Sequence, residues 1–211
     1  AEMPGLYSPG EFDLAGFCVG LGERAKLVDP ASVQAGDVVL GLVSSGFHSN
    51  GYSLLRKVVE VSGRGLDEPF PGGCDPAETF ADVLLRPTRI YVRSVLSVLD
   101  AGLPVRAMAH ITGGGMTGNL ARVIPDGLCA HLDFTEWQVP SAFRVIQELG
   151  AVPEQEMYKT FNMGIGFVLV VSAASAAEAA ERLRAAGEEV VRLGEVAAGA
   201  GDVRVTLEGV A

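Results

Sequence analysis

Short apolar runs bounded by Gly, Pro, Asp and Ser alternate along this chain with stretches whose apolar residues recur every three or four positions. That is the pattern of strands interleaved with helices. Residues 11–21 (Glu-Phe-Asp-Leu-Ala-Gly-Phe-Cys-Val-Gly-Leu) alternate well enough to predict a strand, after a Pro/Gly/Ser loop. Asp29-Pro30 and the run 34–37 then punctuate the chain, so a domain boundary is expected near 29–36. Beyond it a strand is predicted at 38–43 and a helix at 52–61, with Leu54, Leu55, Val58, Val59 and Val61 as its apolar face and Asn50 as its cap. Asn50-Gly51 is nominally a hairpin dipeptide, but its flanks do not both read as strands, which favours the cap. A Gly- and Pro-rich surface loop covers 62–76, and helices follow at 77–85 and 89–101, separated by Pro87. Downstream the pattern predicts strands at 105–110, 128–132, 164–171, 190–196 and 203–207, and helices at 118–123, 141–149, 153–159 and 173–186.

Two helices between strands in places, and a pair of strands at the end, predict an α/β fold of α+β-like character. The expectation is a mixed β-sheet with helices packed on it rather than a regularly wound nucleotide fold. At 211 residues the chain can bury one good core plus an appendage. A formal charge of −10 argues against non-specific nucleic-acid or anionic-membrane binding, because those partners need a basic face to displace counterions. The sequence has no run of about 18 apolar residues. Its start (Ala1-Glu2-Met3-Pro4-Gly5) lacks the basic and apolar regions of a secretory signal, so a cytoplasmic location is expected. The start also has no initiator methionine and reads as mid-protein sequence, which points to a fragment. Three cysteines, Cys18, Cys74 and Cys129, are far apart, with no CxxC pair and no histidine at ligand spacing; buried free thiols are expected, and no metal site.

The candidate chemistry concentrates in two glycine-rich turns, each after a strand and before a helix: Ser44-Ser45-Gly46-Phe47-His48-Ser49-Asn50-Gly51 and His110-Ile111-Thr112-Gly113-Gly114-Gly115-Met116-Thr117-Gly118-Asn119. Such a location puts helix N-terminal N–H groups at the carboxyl end of a strand, where α/β folds bind anionic ligands. In the first turn His48, Ser49 and Asn50 add side-chain donors; the plainer alternative is a tight turn in which Ser49 or Asn50 only caps. In the second, three consecutive glycines after Thr112 give up chain entropy unless something needs that backbone. It matches neither a Walker loop, which needs a lysine and a following hydroxyl residue, nor the GxGxxG fingerprint, so a phosphate or ribose contact by other means is expected. His110, at a strand end, could equally be a buried core histidine, and His131, inside its strand without polar companions, reads as structural. Arg56 and Arg89, each on a predicted helix, are candidates for the cationic spot a phosphate needs. The segment Met157-Tyr158-Lys159-Thr160-Phe161-Asn162-Met163-Gly164-Ile165-Gly166 joins polar groups to a two-glycine strand entry.

Taken as a set, residues 1–5, 13–20, 44–56, 87–91 (Pro-Thr-Arg-Ile-Tyr), 109–115 and 157–162 resemble the phosphoribosylformylglycinamidine cyclo-ligases, or aminoimidazole ribonucleotide synthetases, of purine biosynthesis. Formylglycinamidine ribonucleotide synthases, selenophosphate synthetases and thiamine-monophosphate kinases share the two-domain architecture but match fewer of these segments. The resemblance implies that residues 1–30 are the last loop and strand of an amino-terminal ATP-binding domain, and that 31–211 form the carboxyl-terminal domain. It implies ATP and Mg2+, bound mainly by the amino-terminal domain with Glu2 as a contact, a small phosphorylated substrate, and a homodimer of the full-length enzyme. The implied reaction phosphorylates the formamide oxygen of the substrate with ATP; an amidine nitrogen then attacks that carbon, phosphate leaves and the imidazole ring closes. On this basis His48 and His110 are the catalytic candidates, and Ser49, Asn50, Arg56, Arg89, Thr112, Gly113, Gly114 and Asn162 the substrate-binding ones. Which histidine donates a hydrogen bond and which moves a proton stays open. Alone, this polypeptide is expected to lack ATP turnover. The competing readings are a non-catalytic module that holds a phosphorylated metabolite, or another member of the superfamily of the selenophosphate synthetase or formylglycinamidine ribonucleotide synthase kind.

Overall fold

A strand buried on both faces must be apolar at every position, and β4 (Ile165–Val171, Ile-Gly-Phe-Val-Leu-Val-Val) is the clearest such strand in this protein. The computed structural model describes residues 10, 16–73, 75–199 and 204–210. Around β4 lie β1 (Val38–Val43), β2 (Val105–His110), β3 (Leu128–Asp133), β5 (Val190–Ala198) and β6 (Val205–Glu208). They form one six-stranded sheet in the order β2-β4-β1-β5-β3-β6. Every pairing is antiparallel except β3 with β6, so the sheet is mixed as expected.

Alternation along β4 sends Val168 and Val170 to one core and Phe167, Leu169 and Val171 to the other, while Ile165, beyond a register shift against β1, also packs into the first. The first core is roofed by α1 (Tyr52–Ser62), α2 (Phe80–Leu84), α4 (Gly115–Leu120), α5 (Ser141–Gly150) and α6 (Glu154–Thr160). The second is covered by α3 (Val92–Asp100) and α7 (Ala176–Ala185), through Val95, Val98, Ala179, Ala180 and Leu183. The result is a sheet between two helical layers. Each fully buried aliphatic side chain contributes roughly 1.5–3 kcal/mol. A bulge where β5 passes β1 moves the register from Val39↔Gly194 to Leu40↔Arg192. The extra residue, Leu193, packs into the first core, and a side chain on Gly41 would collide with it at 2.7 Å.

Several expectations need correction. Gly16–Leu21 form no strand: the backbone is irregular and Phe17, Val19 and Leu21 are 93%, 85% and 104% exposed, because no described element lies alongside to take their hydrogen bonds. Residues 11–15 of that expected strand lie outside the described residues, as does Val203. Asn50 does not cap α1; Gly51 does, in a left-handed conformation at φ 72°, with no side-chain cap. Val61 faces solvent, so the apolar face of α1 is Leu55 and Val58, flanked by the partly buried Leu54 and Val59. Helix α2 starts only at Phe80, where Thr79 and Asp82 form a capping box, and α3 only at Val92, leaving Arg89 on the connection before it. Helix α4 begins inside the triple glycine, three residues before the predicted 118. Cys129 is buried, but Cys18 is exposed, since nothing described packs on the segment that carries it; Cys74 is outside the described residues. His131 is exposed and bonds Thr206 Oγ1 at 2.8 Å through Nδ1, a neighbour that only the parallel pairing of β3 with β6 supplies.

These positions separate cleanly by mutation. Leu55→Ala is expected to destabilise the fold by about 2–5 kcal/mol, whereas Val61→Ala on the same helix should stay within about 0.5 kcal/mol. Urea denaturation midpoints of the two variants check this.

Candidate functional site

The first turn is shaped by two neighbours that point opposite ways. Phe47 enters the first core, with its ring 4.6 Å from that of Phe143 and 5.3 Å from that of Phe161. His48 then turns back toward the other side of the sheet, in a left-handed conformation (φ 57°) that is costly for a residue other than glycine. Its imidazole is 2% exposed and lies 6.1 Å from the Tyr91 ring, ring centre to ring centre. It fits only because residue 166 is glycine: a Cβ there would come within 2.4 Å of His48 Cε1 and 2.3 Å of Tyr91 Oη. The Tyr91 hydroxyl donates to the Val43 carbonyl at 3.0 Å.

Ser45 N–H donates to His48 Nε2 at 3.2 Å, which leaves the ring proton on Nδ1. That Nδ1 is buried and has no partner among the described residues. Burial, helped by the positive charges of His110 and Arg89, lowers the His48 pKa from 6.5 to about 4. Burial also pushes the Tyr91 phenol far above its ordinary value, with the Glu188 carboxylate adding to the shift, and pulls His110 below 6.5. Both histidines are therefore neutral near pH 7.

The second turn closes on the first. Gly113 N–H donates to the side-chain oxygen of Asn50 at 3.2 Å, a contact between residues 63 apart in sequence. The His48 and His110 rings lie 6.1 Å apart. His110 sits exposed at the end of β2, with one face of its ring stacked on Phe167. The remaining N–H groups of the glycine run are also engaged, Gly114 with the Lys159 carbonyl and Gly115 with the Thr112 carbonyl, each at 3.0 Å. The expectation that this backbone would offer free donors to an anion is thus corrected: all three are tied down inside the protein. In the first turn the N–H groups of Ser49 and Gly51 make no hydrogen bond among the described residues, so open donors occur there instead.

Both turns rest on the 157–166 segment. The buried Asn162 donates to the Gly46 carbonyl at 2.9 Å and accepts from Gly164 N–H at 2.8 Å, and its Oδ1 lies 3.1 Å from the Ser44 hydroxyl. Its amide therefore holds the first turn and is not presented to a ligand. Gly115 is pressed so closely on this segment that a Cβ would lie 1.7 Å from the Tyr158 carbonyl oxygen. Sequence reasoning missed Asn119, whose amide reaches the carbonyls of Thr112, Gly113 and Gly115 and whose Oδ1 accepts from the Thr112 hydroxyl. A polar residue interrupting the apolar side of a short helix was the available signal.

The Pro87-Thr88-Arg89 connection forms a third wall. Ser45 donates to the Pro87 carbonyl at 2.7 Å, and the hydroxyls of Ser49 and Thr88 pair at 3.0 Å. Arg89 bonds Glu188, with Nε 2.7 Å from the carboxylate, and borders a groove of about 380 Å³ that His110, Tyr91, Met108 and Phe167 also line. Arg56 stands apart, exposed on α1 beside an apolar groove with Leu55, Val59 and Leu84, and bonds neither turn. Glu2 lies outside the described residues. Among the described residues no three His, Cys, Asp or Glu come together in a way that could hold a metal ion. No helix of the described residues is long and apolar enough to cross a membrane.

Residues 34–206 match the family described as AIR synthase related protein, C-terminal domain. The chain belongs to that family. Its similarity extends to the phosphoribosylformylglycinamidine cyclo-ligase of Methylobacillus flagellatus, 49% identical over 208 residues that cover 98% of this chain and 58% of that protein. The cyclo-ligase of Chromobacterium violaceum is 50% identical over 196 residues, 93% of this chain and 55% of that one. The chain thus spans a little over half the length of the curated relatives it matches. Among solved structures, a thiamine-monophosphate kinase from Stenotrophomonas maltophilia K279a shares the fold at a TM-score of 0.59 and 16% identity, over 88% of this chain and 54% of that one. A hydrogenase maturation protein HypE in complex with ATP does so at a TM-score of 0.55 and 17% identity, over 85% and 49%. In this member of the AIR synthase related family, the two histidine-bearing turns face one surface.

Two measurements probe the architecture of the turns. Gly115→Ala should cost well over about 1 kcal/mol, because the site has positive φ and no room. Gly118→Ala, in the same helix with open space around it, should gain roughly 0.5–1 kcal/mol. The His48 shift also makes stability depend on pH. The unfolded chain binds its proton from 6.5 downward, the folded one only near 4, so stability falls as pH drops through that window. The loss attributable to His48 is roughly 3 kcal/mol and is complete below the folded value. His110 contributes with the same sign, so the check is the difference between wild type and His48→Asn, a residue that tolerates the left-handed backbone, in urea titrations across this range.

Proposed function

We propose that this chain is the substrate-side part of a longer ATP-dependent ligase that closes formylglycinamidine ribonucleotide to aminoimidazole ribonucleotide, a phosphoribosylformylglycinamidine cyclo-ligase. The joining of the two turns carries this reading: the Asn50–Gly113 bond and the 6.1 Å ring separation unite two imidazoles, a hydroxyl pair and Arg89 on one face. Relatives of that name about half identical across this chain suggest the reaction; ATP is also what one HypE structure of the same fold holds. Residues 1–30 are then the end of a preceding domain, which in the longer protein supplies the nucleotide contacts, the Mg2+ ligands and the dimer contacts. The exposure of Phe17, Val19 and Leu21 supports this, since such a row is ordinarily covered by a neighbouring element.

In the proposed reaction ATP phosphorylates the formamide oxygen, the amidine nitrogen attacks the same carbon, and phosphate departs as the ring closes. No covalent enzyme intermediate is required, so the work is positioning and stabilisation of charge as it develops. Arg89, with the open N–H groups of the first turn, anchors the substrate phosphate. His110, reachable from solvent and neutral near pH 7, accepts the proton that the amidine nitrogen loses. His48, enclosed and neutral, acts through the shape of the turn. On this reading the metal ligands belong to the preceding domain, and no role given to residues 31–211 depends on holding the ion.

In the full-length protein, His110→Ala should lower kcat by about 100-fold or more. Asn50→Ala, which frees the second turn from the first, should lower kcat/KM by at least about tenfold. Coupled assay of ADP release with formylglycinamidine ribonucleotide as substrate checks both. Normal kcat and KM in the two variants together would place the substrate elsewhere.

A further inference from the structure

Glu188 is a carboxylate with a side chain only 4% exposed, far from any motif that drew attention in the sequence. An ionised group is held out of water only where it is paired and hydrogen-bonded. Its Oε1 accepts from the Ser94 hydroxyl at 2.6 Å and its Oε2 from Arg89 Nε at 2.7 Å. The preceding residue, Gly187, turns the chain at φ 93° after α7 and aims its carbonyl at Arg89 Nη2, 2.6 Å away. The guanidinium is therefore gripped along one edge, by a carboxylate on Nε and a carbonyl on Nη2. Nη1 and the second Nη2 proton make no hydrogen bond among the described residues, on a side chain that keeps 38% of its exposure and borders the groove with His110.

We propose that Glu188 is a positioning residue for phosphomonoester recognition: through Nε it fixes Arg89 so that the free end of the guanidinium forms a planar two-donor fork toward the substrate phosphate. This rests on the reading of Arg89 as the phosphate anchor and adds what holds it there. Arginine suits the task because its fork is rigid once one edge is pinned. Glu188 also offsets the long-range attraction of the Arg89 charge, so recognition depends on matched hydrogen bonds at short range rather than on a diffuse positive field. That is the arrangement expected in a chain with a net charge of −10.

The experiment is steady-state kinetics of the full-length protein with formylglycinamidine ribonucleotide, on Arg89→Ala, Glu188→Ala, Glu188→Gln and the Arg89→Ala/Glu188→Ala double variant. Arg89→Ala is expected to raise KM about tenfold or more, and Glu188→Ala to raise it by a similar factor with kcat within about threefold. Glu188→Gln, which keeps an acceptor oxygen for Nε, should restore KM to within about threefold of wild type. The double variant should be no worse than Arg89→Ala alone, since Glu188 acts only through that residue. If Glu188→Ala does not fold, Glu188→Asp carries the same expectation as the Ala variant, because it keeps the charge but withdraws the oxygen from Nε. An unchanged KM in Arg89→Ala would overturn the phosphate-anchor reading itself. A raised KM in Arg89→Ala with a normal KM in Glu188→Ala or Glu188→Asp, or with additive effects in the double variant, would overturn the role of Glu188 alone.

Discussion

The close approach of other chain segments to three glycines at and beneath the two turns is the constraint on which the rest of the structure depends. The segment that enters β4 runs under both, and at Gly51, Gly115 and Gly166 a side chain would meet Phe161, the Tyr158 carbonyl and His48 at 2.3, 1.7 and 2.4 Å. Because nothing but hydrogen occupies those points, the Lys159 carbonyl can reach Gly114 N–H and the Asn162 amide can reach Gly46. The second turn is thereby held where its Gly113 N–H meets Asn50. Glycine's entropic cost is offset by bonds that no residue with a Cβ could make there.

That packing has an electrostatic consequence. His48 is pressed against the sheet with one nitrogen accepting from Ser45 and the other without a partner among the described residues, and its charged form is disfavoured by burial and by nearby positive groups. A neutral imidazole inside the turn and a second, more open one at the end of β2 give the face hydrogen-bonding capacity without net charge. Arg89 adds a positive charge beside them, and that residue is itself paired with Glu188. On the proposed reading, an acidic protein would meet a phosphate ester with local, directional groups rather than with a basic surface.

Much of the fold was legible in the sequence because its strands are short and sharply bounded. β1 and β2 occupy the residues the apolar runs mark out, and the uninterrupted apolar run of β4 signals burial on both faces. The cues failed where a local signal had a non-local competitor. Asn50 carries the residue type of a helix cap, yet its side chain bonds a glycine 63 residues away, and the cap falls to Gly51. Residues 16–21 carry the alternation of a strand, but pairing needs a neighbour, and none of the described elements provides one. Asn162 has the look of a ligand contact and is instead consumed in holding the first turn.

By itself, the sequence determined which stretches are apolar on one face or both, where the chain must turn, and which residues carry titratable or hydrogen-bonding groups. These depend on residue type and spacing of near neighbours, which are written in the chain directly. Only the tertiary structure decided which turn keeps open N–H donors, that the two histidines lie 6.1 Å apart, and that Glu188 grips Arg89 across 99 positions of sequence. Those outcomes follow from the order of strands in the sheet, and hydrogen bonds between distant segments are satisfied only after that order brings the segments together.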